Sequence, residues 1–233
     1  MGNPRARAPI AVALDAPDLE TAAQWARAVT PHVSTVKVGL ELFCRYGPES
    51  LLSIRGGSKV DVFLDLKLHD IPATVAGAAR SVARLHPRYL TVHAGGGTAM
   101  VRAAVEAAPD VTIAAVTVLT SMSEADLDEV GIMGPTLDAV RRRASIAVAA
   151  GAGAIVCSPK EVTAVRQEFG PDVTLITAGV RPAGAGAHDQ ARIATPEAAL
   201  AAGADLLVIG RPITGAADPG AAAAALAAPL LPR

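Results

Sequence analysis

Residues 112–116 read Thr-Ile-Ala-Ala-Val, a run with no charge and no alternation between polar and apolar side chains. Such a run is typical of a parallel β-strand that is buried on both faces. Comparable apolar runs recur along the chain and are separated by longer segments with helical spacing. The sequence therefore predicts eight strands, at residues 10–14, 35–39, 60–66, 89–93, 112–119, 154–157, 173–177 and 206–210.

Helix-like segments lie between these strands. We predict helices at residues 18–29, 41–55, 72–85, 98–107, 136–150, 159–168, 196–202 and 218–227. A capping side chain followed by proline precedes two of them, in Ser158-Pro159 and Thr195-Pro196. Eight consecutive βα units favour a closed barrel over an open doubly wound sheet. The predicted fold is thus α/β, a (β/α)8 TIM barrel, with residues 1–233 in a single domain.

The composition fits this fold. The chain has 233 residues, of which 51% are hydrophobic and only 3% are aromatic. This is enough apolar material for a full core, packed with Val, Ile, Leu and Ala as barrel interiors are. The two cysteines, Cys44 and Cys157, lack the spacing of metal ligands, and we expect each to be a buried free thiol.

Charge and the amino terminus limit the classes of partner. The net charge is −1 and the run Arg141-Arg142-Arg143 is short, so this run predicts a solvated helix face and not a nucleic-acid site. Residues 1–7 lead into a strand without the apolar region of a signal peptide, and no run of about 18 apolar residues predicts a membrane span. We therefore expect a cytoplasmic protein with no membrane or nucleic-acid partner.

Charged side chains interrupt the apolar runs where strands end, which is where barrels place their active sites. Asp65 and Lys67 are two residues apart on the third strand, so their side chains point to the same side. Lys37 on the second strand supplies another cation, and Asp70 joins them if the turn brings it back. Because buried charges need partners, these residues predict an alternating catalytic set. A structural ion-pair network at the barrel rim is the alternative.

Glycine and arginine follow the seventh and eighth strands, in Gly179-Val180-Arg181 and in Gly210-Arg211. Barrel loops at these places often bind phosphate, since glycine lets the backbone approach and arginine offers a forked donor. The Gly-rich stretch 182–190 predicts either a lid that closes on the phosphate or a surface loop.

His93 ends the fourth strand, and we expect no second histidine at a barrel end. A hydrogen-bonded structural histidine is therefore favoured over a metal ligand. We assign no chemistry to His69 and predict that the protein needs no metal.

The stretch Asp65-Leu66-Lys67-Leu68-His69-Asp70-Ile71-Pro72, with Thr74, resembles the signature of the orotidine 5'-monophosphate decarboxylase family in its bacterial branch. The resemblance extends over nearly the whole chain, through residues 13–15, 36–39, 117–122, 179–182, 189–190 and 208–212. It implies cofactor-free decarboxylation of orotidine 5'-monophosphate to UMP by a homodimer.

The resemblance also implies roles for residues near the reacting carbon. Lys67 would protonate C6 of the pyrimidine as carbon dioxide leaves, and Asp65 would lie against the substrate carboxylate. Lys37 and Asp15 would contact the ribose hydroxyls.

Further residues acquire roles from the same resemblance. Three would reach into the partner subunit's active site, namely Asp70, Ile71 and Thr74. Thr120 and Ser121 would read the pyrimidine. Four would hold the phosphate, namely Arg181, Gln190, Gly210 and Arg211.

Three positions depart from the family pattern, which usually has proline at Ala178, asparagine at Ala73 and phenylalanine at Leu68. None of them removes a charged group, so we expect looser packing and not lost activity. Two other functions stay open at this point. One is a hexulose-phosphate synthase-like enzyme of the same superfamily, which would use Mg²⁺. The other is a nucleotide-binding barrel without catalytic activity.

Overall fold

The computed structural model describes residues 7–56, 58–181 and 194–231. Eight parallel strands pair in chain order and the last pairs with the first, so the sheet closes into a barrel. The strands are β1 Ala8–Ala13, β2 Val33–Gly39, β3 Asp61–Leu68, β4 Tyr89–His93, β5 Thr112–Val116, β6 Ala154–Cys157, β7 Thr174–Thr177 and β8 Leu206–Ile209. The predicted (β/α)8 barrel is confirmed.

Helices follow the strands and surround the barrel. They are α1 Leu19–Val29, α2 Leu40–Tyr46, α3 Glu49–Arg55, α4 Pro72–Ala83, α5 Gly97–Ala107, α6 Glu124–Glu129, α7 Thr136–Ala149, α8 Val162–Phe169, α9 Pro196–Ala201, α10 Arg211–Thr214 and α11 Pro219–Ala227. Short 3-10 helices lie at Ala94–Gly96 and Ala228–Leu230. Within the described ranges, no helix is long and apolar enough to cross a membrane.

The helix prediction was wrong in detail at three places. The segment 41–55 is two helices, because Gly47 takes a φ of 56° and Pro48 follows it. The sixth predicted helix begins at Val162, since the Ser158 N–H donates to Glu161 Oε2 at 2.8 Å and forms a turn before the helix. The short helices α6 and α10 were not predicted at all.

Cys44 and Arg143 differ from their predicted exposure. Cys157 is buried as predicted, but Cys44 on α2 is exposed. Arg141 and Arg142 lie on the exposed face of α7, whereas Arg143 turns inward and donates from Nη1 to the carbonyl of Thr117 at 2.7 Å. The arginine run is therefore a solvated face over two of its three residues.

The core has two parts that alternate along the strands. The larger part lies between the barrel and the helices and includes Ile10 and Val12. The smaller part fills the barrel interior and includes Ala11, the residue between them, together with Phe63. Phe63 is the largest fully buried side chain, and its ring contacts Tyr89 edge-on with the centroids 5.7 Å apart. Phe63 is therefore the one aromatic ring that is fully buried in an interior of mostly small and aliphatic residues, among the described residues.

We expect Phe63→Ala to lower the free energy of unfolding by about 3–5 kcal/mol, because the surrounding strands cannot close over the space left by the ring. Urea titration followed by circular dichroism would measure this change. Phe63→Leu, which keeps much of the volume, should cost less. Equal and small losses for both variants would mean that the interior repacks without the ring.

Candidate active site

A cavity of about 520 Å³ opens at the carboxyl ends of the strands. Its apolar lining includes Val116 and two residues that pack against the interior core, Val156 and Val208. Its polar lining includes most of the predicted site residues, namely Asp15, Lys37, Asp65, Lys67, Thr120, Ser121, Arg181, Gly210 and Arg211. The strand ends therefore gather into one pocket the side chains that the sequence placed on separate strands.

Asp65 lies at the centre of the charged group. It is 8% exposed, and its Oδ2 lies 3.2 Å from Lys37 Nζ while its Oδ1 lies 2.9 Å from Lys67 Nζ. Lys37, also buried, lies 3.6 Å from Asp15 Oδ1. The four side chains form one alternating chain of charges from β1 to β3, in the order Asp15, Lys37, Asp65 and Lys67.

The pair of cations decides the protonation state of this group. Burial raises the pKa of Asp65, but the ammonium groups of Lys37 and Lys67 outweigh burial and hold this pKa below its ordinary value. Burial likewise lowers the pKa of Lys37, and the carboxylates of Asp65 and Asp15 outweigh it, so the pKa of Lys37 is raised. Asp65 is therefore ionised and Lys37 protonated at neutral pH.

Lys67 does not lie on a regular strand. Its φ is 48°, in the left-handed region, which costs a residue with a side chain about 1–3 kcal/mol. The pairing of β3 with β4 shifts between Leu64 and Leu68, so the strand bulges at this position. Asp65 and Lys67 meet as predicted, but through a bulge and not through the simple alternation of a strand.

Thr91 on β4 is a residue that the sequence analysis missed. Its buried hydroxyl donates to Asp65 Oδ1 at 3.0 Å and accepts from the backbone N–H of Lys67 at 2.8 Å. A hydroxyl between the apolar residues Leu90 and Val92 was the signal in the sequence.

Gly39 is a second missed residue. A Cβ at this position would lie 2.6 Å from Asp15 Oδ1 and 3.2 Å from Lys37 Nζ. The Asp15–Lys37 pair therefore occupies space that exists because residue 39 has no side chain.

The β7–β8 side of the cavity carries the arginines. Arg181 is buried, and its Nε has no hydrogen-bond partner among the described residues. Burial and the nearby Arg211 lower the pKa of Arg181 from its ordinary value. Ala194 is the first described residue after Arg181, and its carbonyl accepts from the Arg181 N–H at 2.9 Å. Gln190 lies outside the described residues.

Asp70, Ile71 and Thr74 are not among the described residues that line the cavity. They lie at the exposed start of α4, where Asp70 Oδ1 accepts from the Ile71 N–H at 2.6 Å and Ile71 is 65% exposed. The turn after β3 therefore does not bring Asp70 back to the charged group of its own chain.

His93 has a neighbour that we did not expect. The ring of His69 lies 5.4 Å from that of His93, between centroids, so the prediction that no second histidine lies at a barrel end was wrong. Burial above all, and then His69, Lys67 and Arg143, lower the pKa of His93. Within the described ranges, no group of three or more His, Cys, Asp or Glu side chains converges to hold a metal ion.

Residues 8–226 match the model of the orotidine 5'-phosphate decarboxylase / HUMPS family. The chain is 74% identical to the orotidine 5'-phosphate decarboxylase of Thermobifida fusca (strain YX), with 96% of each chain covered. It is 59% identical to the orotidine 5'-phosphate decarboxylase of Frankia casuarinae, over 97% of this chain and 89% of the relative. The crystal structure of orotidine 5'-phosphate decarboxylase from Lactobacillus acidophilus matches with a TM-score of 0.81 and 35% identity, over 94% of this chain and 97% of that one. This chain therefore belongs to the orotidine 5'-phosphate decarboxylase / HUMPS family.

Proposed function

We propose that this chain converts orotidine 5'-phosphate into UMP and carbon dioxide without a cofactor. The observation that carries the proposal is the buried Asp65 carboxylate between two ammonium groups, in a cavity whose opposite side holds Arg181 and Arg211. Relatives that bear this activity in their names align with nearly the full chain, which supports the same function.

Lys67 is the proposed acid. When the bond between C6 and the carboxylate breaks, its electron pair stays on C6, and no neighbouring group of the ring delocalises that charge. An ammonium group beside C6 stabilises the charge as it forms, which is the contribution that lowers the barrier. The Lys67 N–H bond then breaks as its proton bonds to C6, and the neutral amine regains a proton from water.

Asp65 has two proposed effects. Its ion pair with Lys67 at 2.9 Å would keep the ammonium aimed at the substrate. Its carboxylate would also lie against the carboxylate of the substrate, and the repulsion between these like charges would be relieved when carbon dioxide leaves.

The rest of the substrate is assigned to the other walls of the cavity. Asp15 and Lys37 would bind the ribose hydroxyls. Thr120 and Ser121, which follow β5, would contact the pyrimidine. The phosphate would be held by side chains and backbone after β7 and β8, namely Arg181, Gln190, Gly210 and Arg211. Binding energy from this remote group favours closure of the site and orientation of C6.

We also propose that the active unit is a homodimer, in which Asp70, Ile71 and Thr74 complete the site of the partner subunit. Support comes from their exposure at the rim of the barrel and from the 65% exposed Ile71 side chain, an apolar group suited to a subunit interface. The cavity of an isolated chain would then hold Lys37, Asp65 and Lys67 of the proposed catalytic set, and the partner subunit would supply Asp70.

The direct test is the ultraviolet absorbance of orotidine 5'-phosphate after addition of purified protein in the presence of EDTA. Conversion to UMP is expected. No conversion without added metal, but turnover of a sugar phosphate with Mg²⁺, would favour a hexulose-phosphate synthase-like activity instead. Binding of the nucleotide without any turnover would indicate a barrel that is not an enzyme.

Lys67→Ala should lower kcat by at least about 100- to 10,000-fold, because both the charge beside C6 and the proton donor are lost. The same absorbance assay measures this. Lys59→Ala, at an exposed lysine before β3 on the opposite end of the barrel, is the matched control and should keep wild-type kcat. Normal turnover by Lys67→Ala would contradict the mechanism.

Arg211→Ala should raise KM for the phosphorylated substrate by about 10- to 100-fold, the effect of losing charge-assisted hydrogen bonds. The rate with orotidine, which has no phosphate, should change little. Arg102→Ala, at an exposed arginine on α5, serves as the control. An equal loss with both substrates would show that Arg211 does not bind the phosphate.

Co-expression of Lys67→Ala chains with Asp70→Asn chains should restore activity to about a quarter of the wild-type value per subunit. Half of the dimers would contain one chain of each kind, and each such dimer would hold one intact site. Each variant alone should be nearly inactive. Co-expression of Lys67→Ala with Asp65→Asn is the control, since both defects lie in the same chain's site and no intact site forms. If the first mixture recovers no activity, Asp70 does not act across an interface.

A further inference from the structure

We propose that Thr91 is a positioning residue of this active site, whose hydroxyl sets the direction of both the Asp65 carboxylate and Lys67. The positioning itself follows from the geometry of β3 and β4. Its catalytic consequence rests on the proposed function.

The Thr91 hydroxyl makes two hydrogen bonds. Its single proton is donated to Asp65 Oδ1 at 3.0 Å, and its oxygen accepts the backbone N–H of Lys67 at 2.8 Å. Thr91 is 0% exposed, so water cannot replace either contact without entering the strand interface. One buried side chain therefore joins the two residues whose relative placement the chemistry requires.

The register of the sheet explains why a side chain is needed at this point. Leu64 pairs with Leu90, and the next pair is Leu68 with Val92. Residues 65–67 thus lie opposite Thr91 alone, and the Lys67 N–H donates to the Thr91 hydroxyl. Because a buried N–H without an acceptor is unfavourable, loss of this hydroxyl would remove the contact that holds the left-handed Lys67 backbone.

The same hydroxyl distinguishes the two oxygens of Asp65. Oδ1 accepts from Thr91 and from Lys67 Nζ, which leaves Oδ2 for Lys37 Nζ at 3.2 Å. Without Thr91 the carboxylate could turn about its terminal bond, so that its oxygens no longer lie at these distances from the two lysines. The Lys67 ammonium would then lose its fixed direction toward the substrate.

The test compares Thr91→Val, which keeps the shape but has no hydroxyl, with Thr91→Ser, which keeps the hydroxyl. Thr35→Val is the matched control, at a buried threonine of β2 whose hydroxyl contacts Ser34 Oγ. We expect Thr91→Val to lower kcat by about 10- to 100-fold with KM changed less than threefold, the pattern of a misdirected catalytic group. Thr91→Ser should recover most of kcat, and Thr35→Val should keep the wild-type value.

Two measurements separate positioning from loss of folded protein. Calorimetric titration with UMP should give the same number of binding sites per subunit for wild type and Thr91→Val. A crystal structure of Thr91→Val should show Lys67 Nζ more than about 4 Å from the nearer carboxylate oxygen of Asp65, beyond ion-pair distance. An unchanged Lys67 in that structure, or a kcat of Thr91→Ser as low as that of Thr91→Val, would overturn the proposal. An inactive wild-type protein would refute the proposed function instead, and the crystal structure would still decide the role of Thr91.

Discussion

The Asp65 carboxylate is buried at the mouth of the barrel, and the arrangement around it follows from the need to balance that charge. A buried carboxylate is tolerated when cations and hydrogen-bond donors contact it, and Asp65 receives Lys37, Lys67 and the Thr91 hydroxyl. Desolvation opposes both charges of each pair, yet the mutual attraction outweighs it, so the pKa values of Asp65 and Lys37 move apart. The site is thereby a fixed array of charges before any substrate enters.

Holding this array requires departures from regular structure that a purely structural barrel would not need. β3 bulges, and Lys67 takes a left-handed backbone conformation that only the surrounding contacts maintain. Gly39 leaves room for the Asp15–Lys37 pair. These features favour a functional role for the charged group over a structural ion-pair network at the rim, because a stabilising network gains nothing from a strained lysine.

The remaining walls differ in character. Part of the cavity wall is apolar and includes Val116, Val118, Val156 and Val208. The β7–β8 side supplies guanidinium groups and backbone around Gly179 and Gly210. The cavity thus combines apolar walls with two separate charged regions, the group around Asp65 and the arginines after β7 and β8.

The sequence by itself determined the closed barrel and its eight strands, because a strand that is buried on both faces appears as a continuous apolar run. It also determined which strand ends carry charge, because charged residues interrupt these runs where barrels place their active sites. Gly47-Pro48 indicates a break between α2 and α3, and the prediction of one continuous helix there was wrong. Only the tertiary structure decided the roles of Thr91 and Gly39 around the charged group, the proximity of His69 to His93 and the position of Asp70 outside its own cavity. Each of these depends on the register between neighbouring strands and on the path of the loops that follow them. Register shifts arise from packing across the sheet, and no local pattern of residues encodes them.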